Sequence, residues 1–308
     1  MPQADESATD PALTIPWVGL PIIALPASVL LFAGLLLMNY GVPLGHLSAP
    51  HLANGQAEAA GRISVLGTAV LLAAVSLAAI CHFARDLFRF ERASRRRLLA
   101  TAAAGAVVGC FFVLQGFPDD ADRYLGPDFA CRSFALLDPG PGAGKACRSP
   151  SYDRMIGLNH IFKYLLAFVS PALIVGTISC LGLPREPGAM DRKRALERLK
   201  TYLYLSAVLL VSGLAFLGAL LQWPGFSVGE DKAFQAGVSA ILLYWGIVYS
   251  IFIASYYIPV ALLGARRWER LGPVGEGEPP LTAIGLLQSG AAIFAPALAG
   301  LAGGLVHL

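Results

Sequence analysis

Seven stretches of this chain run for about twenty residues or more with almost no charge, and that pattern narrows the folds open to it more than any other feature. About twenty helical residues span a hydrocarbon core roughly 30 Å thick. Lipid offers no partner for an open backbone N–H or C=O, so each stretch must close its own hydrogen bonds as a helix. Alternating apolar and polar residues, the mark of a barrel strand, are nowhere sustained. The predicted spans are Trp17–Asn39, Ser64–Phe83, Leu98–Phe117, Ile156–Leu183, Thr201–Gln222, Ala236–Gly264 and Thr282–Val306. The expected fold is all-α: a polytopic α-helical membrane protein with about seven transmembrane helices. Only 14% of residues are charged, against ~25% in a soluble domain. The mean hydropathy of +0.62 points the same way.

The charges alternate between connections. Those after the second, fourth and sixth spans carry 15 Lys and Arg, and those on the other side carry 7. Basic loops stay in the cytoplasm, so the N-terminus is predicted inside and the C-terminus outside. The first span has no local basic residue to orient it, only Asp5, Glu6 and Asp10 before it. That same lack of a basic leader argues against a cleaved signal peptide. Eighteen arginines against five lysines, with abundant Ala and Gly, read as a GC-rich bacterial source and hence a bacterial inner (cytoplasmic) membrane. The chain divides into a short polar tail, residues 1–16, and a single bundle, residues 17–308, with an extracytoplasmic loop at 118–153. Cys131 and Cys147 share that loop, and a disulfide between them is expected there. A net charge of +3 gives no reason to expect nucleic acid as a partner. The expected partner is the lipid bilayer, with a second copy or another protein as a possible addition.

Several motifs carry a chemical reading and a structural one. Gly140–Lys145 resembles a phosphate loop in composition, but Pro139 and Ala146 occupy positions where that loop needs Gly and Ser or Thr. His82 and His160 fall at opposite depths, so they cannot share a haem, and His46 and His51 lie in a loop. No metal, cofactor or catalytic residue is predicted. The spans as drawn hold no Asp or Glu. Lys163 is their one clear charge, and Asn159, His160, Lys163 and Tyr164 form a polar face on the fourth span. That face reads as an outward vestibule or as a lysine snorkelling to the headgroups. Trp245, Tyr249, Phe252 and Tyr256 form an aromatic face on the sixth, either a ligand wall or a packing seam. Small residues recur every fourth position, with Gly105 and Gly109 on the third span and Gly300 and Gly304 on the seventh, and let helices approach closely. Proline interrupts the first, fourth and seventh spans at Pro21, Pro26, Pro171 and Pro296, where a transporter would break its helices.

No triad, paired carboxylates or metal cluster can be assembled at one depth, and the cytoplasmic connections are too short to form a catalytic domain. The expected function is therefore non-enzymatic: a membrane effector or signalling subunit, or a pore-forming protein, acting through helix packing. A small-molecule or ion transporter and an accessory subunit of a larger membrane complex are the alternatives.

Overall fold

A computed structural model describes residues 25–32, 55–114, 133–134, 150–182, 189–228, 232–269 and 283–305. Seven helices lie among them: α1 (25–32), α2 (Gly55–Leu87), α3 (Arg92–Leu114), α4 (Pro150–Ser179), α5 (Ala189–Val228), α6 (Lys232–Glu269) and α7 (Ala283–Leu305). Five, α2 to α6, are long and apolar enough to cross a membrane, and α7 holds a shorter apolar run, Ser289–Ala302. The rest of the first expected span and the pair Cys131–Cys147 lie outside the described residues, as does Gly140–Lys145.

The helices overrun the apolar windows. α2 begins at Gly55, not near Ser64, and α5 at Ala189, not Thr201. Residues 150–153, expected in the outer loop, open α4. Hydropathy stops at the first charged residues, whereas the i→i−4 hydrogen-bond ladder continues past the bilayer edge for as long as nothing breaks it. Two acids consequently lie inside a helix that was drawn without any, Glu58 near the start of α2 and Asp86 near its end.

Three of the packed pairs, α2 with α5, α3 with α4 and α6 with α7, run antiparallel. Asp86 of α2 meets Arg198 of α5, while Glu58 meets Trp223. Gly105 and Gly109 of α3 face Pro171 and Ala167 of α4. Gly246 of α6 approaches the carbonyl of Pro296 in α7, and Gly300 of α7 that of Leu242 in α6. At these last two glycines an added Cβ would lie 2.6 Å from a backbone oxygen, so only glycine permits the approach. The small-residue faces predicted on the third and seventh spans are thus occupied within the chain at Gly105, Gly109 and Gly300. Gly304 falls in the last turn of α7, where the packing lies outside the described residues.

α5 is the hub. It packs against α2, α4, α6 and α7, and 72% of its apolar window is buried, against 11% for α3. Around it the interior is filled by large side chains, among them Tyr202, Leu203, Phe216 and Trp223. α3 leans on α4 alone among its larger interfaces. Its outward residues, such as Val107, Phe111 and Leu114, suit lipid.

Candidate functional site

The strongest concentration of polar chemistry lies where α2, α4, α5 and α6 end or begin together. α2 stops after Leu87 with tightened i→i−3 bonds, from Phe88 N–H to Arg85 O and from Phe90 N–H to Leu87 O. Arg95, one turn into α3, closes that end. Its guanidinium donates to the carbonyls of Leu87 (3.0 Å), Phe88 (3.2 Å) and Phe90 (3.2 Å). Carbonyls orphaned at a helix end need such partners. α4 ends similarly, and Arg267 of α6 donates to Leu181 O at 2.9 Å.

Between these ends sits a buried knot. Asp86 Oδ2 accepts hydrogen bonds from Arg198 Nε at 2.9 Å and from the Tyr202 hydroxyl at 3.1 Å. Arg198 Nη2 donates to Ser179 Oγ at 3.1 Å, and its guanidinium lies over the Phe90 ring at 5.4 Å. Arg89 approaches the other carboxylate oxygen at 3.6 Å from the exposed side. Asp86 is 3% exposed and Arg198 is 8% exposed. Charges this buried persist only when paired and hydrogen-bonded, which this pair is. Gly176 makes the arrangement possible, because a Cβ there would overlap the Tyr202 ring. His82, one turn before Asp86, meets Tyr202 edge to face at 5.0 Å, and its Nε2 is buried without a hydrogen-bond partner.

The nearby Cys180 thiol is buried. No cluster of three His, Cys, Asp or Glu suited to a metal occurs among the described residues. The arrangement ties three helices together, α2 through Asp86, α4 through Ser179 and α5 through Arg198 and Tyr202.

At the far end of α2, Glu58 accepts both Arg62 Nη2 hydrogen bonds at 2.8 Å and the Trp223 indole N–H at 3.0 Å. Phe134, completely buried, packs edge to face on Trp223 at 5.3 Å.

The polar face on α4 divides. Asn159 turns inward, 1% exposed, and both its amide atoms lack a hydrogen-bond partner. His160, Lys163 and Tyr164 stay half-buried, and His160 Nδ1 contacts its own helix at Ile156 O. The aromatic face of α6 points into the core, with Tyr249, Phe252 and Tyr256 buried and Trp245 half-buried. Tyr256 shares a hydrogen bond with Ser206 of α5. Tyr202 of α5 donates its hydroxyl hydrogen to Asp86 and takes no part in this stripe's hydrogen bonds.

Sequence reading missed the knot because Arg198 was counted among loop cations. One signal did mark it. Ala195, Arg198, Leu199 and Tyr202 fall at i, i+3, i+4 and i+7, so the apolar face of α5 runs on through the charged segment and carries Arg198 inward.

The fold and this site define a class, an all-helical chain with the length and apolarity of a multi-pass membrane protein. Comparison with known proteins gives no match to a family model, a curated protein or a solved structure.

Proposed function

We propose that the chain is a non-enzymatic membrane effector or signalling subunit whose output is a change in helix packing, with α2 as the element that moves. The Asp86–Arg198 pair carries this reading. Buried ion pairs add little net stability over well-packed apolar groups, and their best-attested use is to fix register or to act as a switch. Here the pair joins α2 to α5 and, through Ser179, to α4. In this reading the knot end faces the cytoplasm of a bacterial inner membrane, the N-terminus lies inside, and a Cys131–Cys147 disulfide staples the outer loop.

The test is ion and dye leakage from liposomes holding the full chain. The filled interior around α5 predicts tight wild-type vesicles. Arg198→Met, which strands Asp86, is expected to leak. Asp86→Asn/Arg198→Met, which removes both charges, is expected to be tight again. Leakage that grows with wild-type protein and ignores both variants would sink the packing reading and leave a standing pore.

The transporter reading has one observation in its favour, the unpartnered buried amide of Asn159 in the proline-containing helix α4. Substrate uptake abolished by Asn159→Leu, in vesicles that stay tight, would favour it.

A further inference from the structure

We propose that the corner between α2 and α3 is a binding site for the headgroup of an anionic phospholipid. Arg85 lies in the last turn of α2 and Arg89 in the turn that follows it, while Arg92 and Arg96 lie four apart at the start of α3 and share a helix face. All four are exposed, as is Arg97. Of the two acids in the stretch, Asp86 is buried and is shared between Arg198 and Arg89, and Glu91 is half-buried, so two acids face six arginines between residues 85 and 97.

The corner is built to stay put. Arg95 spends its guanidinium on three carbonyls of the turn and stacks over Phe88 at 5.1 Å. The exposed arginines therefore stand on a fixed base. Guanidinium forks match phosphate oxygens in pairs, and a fixed base lowers the ordering cost of binding.

Phe88 argues for a lipid over a free phosphate. It is 73% exposed in the turn between the two helices. Arg95 covers one face of the ring, and the rest of this apolar surface gains from burial against acyl chains, which a free anion in water would not offer. The site also adjoins the knot, since Arg89 lies between the exposed cluster and Asp86.

The test uses the full chain in nanodiscs of phosphatidylcholine with and without phosphatidylglycerol, reading retained lipid and melting temperature. Phosphatidylglycerol should be retained and should raise the melting temperature of the wild type, and added salt should weaken both effects. Arg89→Gln/Arg92→Gln/Arg96→Gln should lose the retention. Arg96→Gln alone, on an exposed helix surface, should weaken it about fivefold, the worth of one basic residue at an anionic surface. Unchanged retention in both variants would overturn the site. An equal loss in Lys193→Gln/Arg194→Gln, which alters exposed cations on α5, would reduce it to general surface attraction and overturn it too. Inorganic phosphate that raises the melting temperature as much as the lipid does would overturn the headgroup assignment.

Discussion

The two ends of α2 each bury an acid, and they neutralise it in different ways. At one end the counter-charge for Asp86 comes from another helix, 112 residues away in sequence, and is itself buried. At the other end Glu58 is served by Arg62, four residues along the same helix, whose side chain is 40% exposed. Local pairing of the second kind forms as soon as the helix does and holds no other element. Distant pairing of the first kind exists only when the bundle is assembled. Charge at the Asp86 end therefore reports tertiary packing, whereas at the Glu58 end the cross-helix link is a neutral donor, the Trp223 indole.

Five variants would sharpen or break this contrast. The largest effect is expected from Arg198→Met, which leaves a buried carboxylate alone and should cost about 3–5 kcal/mol, read as denaturant unfolding in micelles. Most of that loss should return in Asp86→Asn/Arg198→Met. If the double variant is no more stable than Arg198→Met, the two groups are not energetically coupled. Trp223→Phe comes next at about 1.5–3 kcal/mol, the range for a hydrogen bond to a charged acceptor. Gly176→Ala pushes on Tyr202 at the Asp86 end, and overpacking of this kind costs about 1–3 kcal/mol. A neutral result there would mean that Tyr202 can move without loss. The smallest effect belongs to Arg62→Gln, about 0.3–0.5 kcal/mol, because solvent screens an exposed i,i+4 pair. A cost at Arg62 as large as that at Arg198 would erase the distinction between the ends.

The helices themselves were legible. Long apolar runs have one solution in lipid, and α2 to α7 all stand where hydropathy put a span. Their charged extensions were not, because a residue such as Arg198 has the same composition whether it lies in a loop or inside a bundle. What separates the two cases is the face it occupies, and the Ala195–Tyr202 spacing held that information. The aromatic face of α6 was visible as a stripe, and its inward direction depended on neighbours that no single segment encodes. Asn159 was legible as polar but not as buried, since only the rotation of α4 within the bundle decides which of Asn159, His160 and Lys163 turns inward. The pairing of Asp86 with Arg198 had no local signature at all. Two residues on separate helices met only once the topology of α2, α4 and α5 was known.

The sequence distance between those partners has a meaning in time. At roughly 5–20 residues per second during synthesis, the 112 residues separating Asp86 from Arg198 take about 6 to 22 seconds to make. For that interval α2 exists while its distant counter-ion does not. Arg89, three residues along and 3.6 Å away in the finished structure, is on hand from the start. Until α5 is made, Arg89 is within reach of the carboxylate and Arg198 is not.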